Sequence, residues 1–373
     1  MTIALMLESD GPGGAEIVLF DMAQELRARG HEVVPVGPAQ GVGWLGEKLR
    51  AVGFVPEIYH ERRPPDLGVV RQLCEILHRR RVDVIHSHEF TMTVYGAAAS
   101  WWTGIPQVVT LHGNMTMTDV WRRRVALRIA LRRSRCVAAV SGATKVQVDR
   151  DLGLPADRIS VVRNGIPVRR GTPDAVRAEL GIAPDELLIL AVGNLDRRKG
   201  HIHLLEALAQ LEEEGLSRRW QVAIAGGRGG DERPRLEKFA QEHGISERVH
   251  ILTHRDDIPD LQAAADVFVM PSLWEGLPLA LLEALLAGTA VIASRCSGIP
   301  EAIDDGREGL LVPPGESPAL ADALRTLLAD DRVREDLARR GQERAQREFT
   351  VGVMIDAYEA IYRAAAGGVR SAA

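Results

Sequence analysis

A chain of 373 residues is too long for a single hydrophobic core and, at about 100 to 200 residues per domain, should hold two domains or three small ones. Hydrophobic residues make up 46% and charged residues 26%, which excludes a disordered or fibrous chain. The formal net charge of -5 argues against a general nucleic-acid binder, which is normally basic overall. The charge is uneven: residues 1 to 168 carry a net +4, leaving -9 for the rest, as if the halves met different partners. Only four of the 46 basic residues are lysines, so arginine richness by itself says little here. Three scattered cysteines (Cys74, Cys136, Cys296) support neither a disulfide framework nor a thiolate metal site and fit a reducing compartment. No basic leader precedes an apolar run near Met1, and the apolar stretch 277–293 is broken by Glu283 and Gly288, so neither a classical signal nor a membrane span is expected.

Short Val- and Ile-rich runs alternate with helix-period stretches, the rhythm of βα units feeding a parallel sheet. The first half offers strands at 2–7, 32–36, 83–86, 107–111 and 136–140. Its first helical stretch, 20–29, ends at Gly30, a residue suited to a left-handed cap. The stretch 164–184, with three prolines and three glycines, reads as a connection. The second half restarts with strands at 187–192, 221–225, 249–252, 267–270, 290–293 and 309–312. The expected fold class is therefore α/β, with two doubly wound, Rossmann-like parallel-sheet domains, 1–168 and 169–350. Met354, Ile355, Tyr358 and Ile361 recur at helical spacing within 351–366, a final helix that needs an apolar surface to lie on.

Three βα loops carry candidate chemistry. The loop Ser9 to Glu16, with Gly13 and Gly14, can offer backbone amides to an anion at a helix start; it lacks the third glycine of a dinucleotide fingerprint, and a plain tight turn is the simpler alternative. Gly193 to Gly200 follows a strand and precedes a helix, and its Lys199 is conspicuous in a chain that otherwise prefers arginine. A lysine at such a switch can neutralise a diphosphate, whereas solvated loop charge is the bland reading. The third loop holds Glu275 and Glu283 with seven residues between, the first in the loop and the second in the following apolar helix, where a carboxylate needs a partner. Ribose hydroxyls would supply one.

These residues, with Asp83-Val84-Ile85-His86 leading to His88, Thr110-Leu111-His112-Gly113, Ala139-Val140-Ser141, Asn164-Gly165 and Gly298-Ile299-Pro300-Glu301, occur in an order that resembles the retaining, GT-B-fold glycosyltransferases of family four, across essentially the whole chain. The resemblance implies an N-terminal acceptor-binding domain, a C-terminal nucleotide-sugar-binding domain facing it across a cleft, and a final helix crossing back to the first domain. It further implies that Glu283 binds ribose hydroxyls and Glu275 sugar hydroxyls. Lys199 and the amides of Gly14, Leu277 and Leu279 would hold the diphosphate, and Arg255, in the stretch 253–256, would border the base. His112 would sit beside the donor sugar; a hydrogen-bonded histidine at a strand end is its structural alternative. With Lys199 and Glu275, His112 makes up the catalytic set. Gly13, Glu16, His88 and Ser141 would face the acceptor, with Glu89 nearby. Two departures stand out: Asn194 replaces the family's usual arginine, leaving Arg197 or Arg198 to take its contact, and Pro278 has no amide hydrogen to donate.

The expected activity is transfer of a sugar from a nucleoside diphosphate sugar, with uridine as the base by family frequency, to a hydroxyl of a glycan, lipid-linked or small-molecule acceptor. No cofactor is required and no metal is expected, because the DxD at Asp149 to Asp151 follows a polar helical stretch and the other acidic pairs lie in polar loops. A metal site from His86, His88 and His112 lacks a completing carboxylate or thiolate. The competing readings are a nucleotide-sugar epimerase or hydrolase of similar architecture and a non-catalytic nucleotide-sugar-binding protein. No nucleic-acid partner is expected. The segment 121–135 holds seven arginines interleaved with Val125, Leu127, Ile129 and Leu131, and Trp101-Trp102 precede it. Such a helix can lie on an anionic membrane. In so arginine-rich a chain, one face on the sheet and an arginine-covered solvated face is the simpler expectation, and the location is read as cytoplasmic, with peripheral contact at the inner membrane face as the alternative.

Overall fold

The structure, a computed structural model, describes residues 1–9, 11–39, 43–113, 120–227 and 232–370. It divides into two units, one formed by Met1–Pro167 and the chain from Val351 onward, the other by Val168–Thr350. In the first unit the order is β1 (Thr2–Met6), α1 (Gly14–Ala28), β2 (Glu32–Pro38), α2 (Trp44–Ala51), β3 (Glu57–Tyr59), α3 (Leu67–Arg79), β4 (Val84–His88), α4 (Glu89–Thr103), β5 (Gln107–Leu111), α5 (Trp121–Arg133), β6 (Cys136–Ala139), α6 (Gly142–Leu152) and β7 (Ile159–Val161). The second unit contains α7 (Pro173–Glu179), β8 (Leu187–Val192), α8 (His201–Glu213), β9 (Trp220–Ala225), α9 (Arg233–Glu242), β10 (Val249–Leu252), α10 (Ile258–Ala264), β11 (Val267–Met270), α11 (Leu279–Ala287), β12 (Ala290–Ser294), β13 (Leu310–Val312), α12 (Ser317–Ala329) and α13 (Asp331–Glu348). The last helix, α14 (Val351–Arg370), belongs to the first unit.

Both sheets are parallel, in the orders β3-β2-β1-β4-β5-β6-β7 and β10-β9-β8-β11-β12-β13. Helices cover both faces, so the central strands are buried on each side and read as continuous apolar runs rather than alternating ones. The register is fixed by pairs such as Ile3 with Val84 and Val267 with Ile189. In each sheet the strand order reverses direction once, between β1 and β4 and between β8 and β11, and in open α/β sheets ligands gather beyond the carboxyl ends of the strands at that reversal. Each of the three candidate βα loops, 9–16, 193–200 and the one holding Glu275, leaves one of these four strands.

Strand β4 departs from the apolar pattern, because His86, Ser87 and His88 are all fully buried. Their polar groups therefore need internal partners. Gln107 on β5 donates to Ser87 Oγ at 2.9 Å and accepts from Ser134 Oγ at 3.0 Å. His86 is held between two rows: Nδ1 contacts Tyr362 Oη at 2.6 Å and Nε2 contacts Thr110 Oγ1 at 2.7 Å, while Thr110 also meets Tyr358 Oη at 2.6 Å. Both tyrosines come from α14, which packs on α1, β4 and β5. The apolar surface demanded by the final helix's periodicity is thus this sheet, joined to it by polar contacts as well as by burial.

Candidate active site

In the second unit, β8 ends at Val192 and the chain makes a 3-10 turn over Arg197–Lys199 before α8. Asp196 caps the turn by accepting from the Arg198 amide at 2.9 Å. Gly200 closes it with φ 64°, and a Cβ there would stand 2.1 Å from the Pro271 carbonyl oxygen, so both the left-handed backbone and the close approach call for glycine. The Leu273 amide donates to the Arg198 carbonyl at 2.7 Å, fastening the loop after β8 to the loop after β11.

That fastening brings Lys199 to Glu275. Lys199 Nζ lies 2.6 Å from Glu275 Oε1, and Ser272 Oγ donates to the same oxygen at 2.8 Å. Both charged side chains are mostly buried, at 19% and 12% exposed, where a charge without its partner would be costly. Lysine has three donors, so one on Glu275 leaves two for another acceptor. Behind them, the Cys296 thiol donates to the Ser272 carbonyl at 3.4 Å, and burial, with the Glu275 charge adding to it, pushes that thiol up to about 11. It is a packing residue rather than a nucleophile.

Helix α11 begins just beyond. Its first intrahelical donor is Leu282, bonded to the Pro278 carbonyl, so the amides of Leu279, Ala280 and Leu281 precede the ladder and form the positive end of the helix. Pro278 occupies the cap position, where its missing N–H breaks no helical bond. Glu283 stands half-buried in the second turn, and Leu277 is buried in the approach.

The other expected donor residues are distributed around this pair. Asn194 is exposed directly after β8. Arg198 is exposed and lightly held by Asp196 at 3.4 Å, while Arg197 reaches Glu232 at 3.2 Å. Arg255 is differently placed: its guanidinium is clamped by Glu179, at 2.5 and 2.8 Å, and by Asp257, at 2.6 and 2.7 Å. These bonds raise the arginine pKa further and lower both carboxyls. The Arg255 side chain is therefore engaged within its own unit. A Cβ on Gly226 would lie 1.8 Å from the Gly193 carbonyl oxygen, and one on Gly227 2.3 Å from the His254 amide. The ends of β8, β9 and β10 are drawn together through these two glycines, which sequence reading passed over, as it did Ser272.

In the first unit the reversal point gathers different chemistry. Gly13 caps α1, and the Glu16 carboxylate folds back against it, so close that a Cβ on Gly13 would meet Oε2 at 2.4 Å. A carboxylate over a helix start is well placed electrostatically, and any incoming anion seeking the Gly14 amide must displace it. Residue 10 of this loop lies outside the described residues. Glu8, after β1, was not anticipated; burial raises its pKa. Glu89, with φ 60°, opens α4, and burial first, then the charges of Glu8 and Glu16, holds its carboxyl at about 7. Three carboxylates thus share one strand reversal.

Beside them, His88 Nδ1 lies 3.0 Å from His112 Nε2 with the rings stacked, and the His86 ring meets His88 at 4.3 Å with the planes tilted by 32°. Burial keeps all three rings neutral: His86 falls to about 3, His112 to about 4, and His88 well below its ordinary value. His88 Nε2 is buried without a hydrogen-bond partner among the described residues. Ser141 is fully buried and caps α6, accepting from the Thr144 amide at 3.1 Å, so its hydroxyl serves the fold. Among the described residues no three His, Cys, Asp or Glu side chains converge as a metal-binding group.

Comparison with known proteins identifies the family of the chain. Residues 173–344 match the model of glycosyl transferases group 1, and residues 12–170 that of glycosyltransferase family 4. The chain is 32% identical to the alpha-maltose-1-phosphate synthase of Mycolicibacterium smegmatis, over 75% of this chain and 78% of that protein. It is 30% identical to the D-inositol 3-phosphate glycosyltransferase of Corynebacterium urealyticum, over 94% and 91%. Among solved structures, Anabaena HepE in complex with UDP superimposes with a TM-score of 0.85 at 26% identity, covering 98% of this chain and 100% of that one; its complex with UDP-glucose gives 0.82 at 26%, over 95% and 97%. Two Rossmann-like parallel sheets, a lysine and a carboxylate meeting at a strand reversal, and relatives of this kind lead to one conclusion: the chain belongs to the glycosyl transferases of group 1 and is a glycosyltransferase of the GT-B fold.

Proposed function

We propose that the protein is a retaining, metal-independent enzyme that moves a hexose from a UDP-sugar to a hydroxyl of a glycan, lipid-linked or small-molecule acceptor. The observation that carries this reading is the Lys199–Glu275 contact at 2.6 Å, at the reversal point where α11 begins. Cleavage of the donor leaves an oxocarbenium-like sugar and a departing diphosphate. Lys199 and the first amides of α11 supply fixed positive charge to the leaving group, and such preorganised donors lower a barrier without reorganising during the reaction. Arg198 stands near enough in the chain to take the contact left by Asn194. Glu275, oriented by Ser272, accepts from the sugar hydroxyls, and Glu283 accepts from the ribose. The stretch 253–256 borders the base.

The first unit receives the acceptor, with Glu16, Glu89 and His88 at its strand reversal. In a retaining displacement the acceptor hydroxyl gives its proton to the departing phosphate, so no enzyme base is needed. A neutral His112 then positions and polarises. The UDP and UDP-glucose bound by HepE support the choice of donor.

The test is product analysis with UDP-glucose and a panel of acceptors in EDTA. The reading expects α-linked product and UDP release that depends on acceptor. Activity lost in EDTA and restored only by Mn²⁺ or Mg²⁺ would refute the metal-free step. Equal UDP release without acceptor would indicate an epimerase or hydrolase, and binding without turnover a non-catalytic protein.

A further inference from the structure

The exposed face of α5 carries an apolar stripe that the fold does not use. Leu127, Ala130 and Leu131 supply the packing of this helix. Trp121, Val125 and Ile129 recur every four residues on the opposite side, at 68%, 46% and 54% exposed. At the end of α4, which packs beside α5, Trp101 and Trp102 are 71% and 74% exposed. Three of the chain's six tryptophans therefore stand in solvent on two neighbouring helices. Single exposed apolar residues need no explanation, but a grouped set of this size does.

The flanks of the stripe are cationic. Arg122 sits over the Trp121 ring at 5.5 Å and Arg133 over the Trp101 ring at 5.9 Å, and Arg128 and Arg132 emerge beside Val125 and Ile129. The span 121–135 contains no acidic residue, and among the described residues these four arginines make no ion pair. The other arginine-rich helix, α13, gives the internal control: its Arg339, Arg340 and Arg344 are paired with Asp336, Glu343 and Glu308. Arginine is common in this chain, but among the described residues exposed tryptophan flanked by these four arginines stands at α5 and the end of α4.

We propose that this surface of the first unit docks on an anionic lipid bilayer, with the tryptophans at the headgroup level and the arginines on the lipid phosphates. Indole rings favour that interface, since one edge is apolar and the N–H can remain hydrated. A second copy of the chain does not fit, because a two-fold contact would set arginine against arginine. A nucleic acid would use the arginines but leave Val125 and Ile129 against water. No helix among the described residues is long and apolar enough to cross a membrane, so the contact is peripheral. The proposal stands on this surface alone and is independent of the donor reading.

Flotation of the full chain with vesicles tests it. With half phosphatidylglycerol at 50 mM NaCl the protein should float; with pure phosphatidylcholine, or at 500 mM NaCl where the Debye length falls to a few ångströms, it should not. Each of Arg122→Gln, Arg128→Gln and Arg132→Gln should lower the partition coefficient about five-fold. Trp102→Ser with Trp121→Ser should reduce binding further while leaving the urea midpoint read by a probe in the first unit unchanged, which shows that the variants fold. Failure to float with anionic vesicles at low salt, or floating undiminished by these substitutions, overturns the proposal. So does a change in oligomeric state produced by the tryptophan variants in the absence of vesicles, or DNA binding that matches the vesicle affinity.

Discussion

At the scale of single residues, the donor reading concentrates on one ammonium. Lys199 lies against a carboxylate from a loop 76 positions away, and its stem runs close over Gly193, where a Cβ would be 3.1 Å from Cδ. Replacing Lys199 by Ala removes a donor aimed at the leaving group, a loss worth about a hundred- to a thousand-fold in turnover where comparable donors are deleted. Lys199→Arg should not rescue it, because a planar fork cannot fill the place of a compact ammonium beside Glu275. Steady-state kcat for both variants, with urea unfolding to show that Glu275 left alone has not disrupted the unit, checks this; near-normal turnover in Lys199→Ala would contradict it. Both residues were legible in the sequence as separate candidates, one for phosphate and one for sugar. Their pairing was not, because nothing local connects the loop after β8 to the loop after β11 until the sheet order places those strands side by side. Ser272 escaped notice for a similar reason: a serine in a loop has no signature until its hydroxyl is seen on Glu275. Arg255 shows the opposite limit, since the carboxylate that engages it from α7 cannot be read from its own stretch.

At the scale of elements, the parallel strands were readable because burial on both faces makes them continuous runs of Val, Ile, Leu and Ala. All six strands of the second sheet fall where the apolar runs placed them, within a residue or two. The two strands that escaped, β3 and β7, are three-residue edges of the first sheet, too short to carry a period and half solvent-facing. The final helix was legible as an amphipathic segment, but its polar function was not: Tyr358 and Tyr362 look like core residues, and they also satisfy Thr110 and His86. Removing one hydroxyl should expose that function. Tyr362→Phe leaves buried His86 Nδ1 without its partner, a loss of about 1–3 kcal/mol in unfolding free energy. Urea denaturation followed by a probe in the first unit measures it, and an unchanged midpoint would show that the contact contributes nothing. Helix α5 carries more than its sequence showed. Its arginines do face solvent, as the simpler expectation had it, yet Val125 and Ile129 face solvent with them while Leu127, Ala130 and Leu131 turn inward.

At the scale of the whole molecule, pH should act on the first unit through its buried ionisable groups. His86, His88 and His112 are held neutral, with His86 and His112 at about 3 and 4 against 6.5 in the unfolded chain. Below about pH 6.5 the unfolded state binds protons the folded state refuses, so stability is fully present above that value and is lost as pH falls towards 4. Glu89 opposes this: its carboxyl at about 7 keeps a proton in the folded state that the unfolded state has released, so stability declines as pH rises from about 4.5 to 7. Glu8, whose pKa burial also raises, acts in the same sense as Glu89, and three rings outweigh two carboxyls. Chemical denaturation from pH 4 to 8 should therefore show a net rise, steeper in Glu89→Gln, which removes one opposing slope; a profile flat across that range in both proteins would contradict the burial described here.

The central claim concerns the leaving group, and it is tested most directly by calorimetric binding of UDP and of uridine, in EDTA, to the wild type and to Lys199→Ala. The account expects wild-type protein to bind UDP at least ten-fold more tightly than uridine, and Lys199→Ala to lose most of that difference while its affinity for uridine stays the same. If the two proteins distinguish UDP from uridine equally well, the diphosphate is not held by Lys199, and the mechanism built on the second unit's strand reversal is wrong.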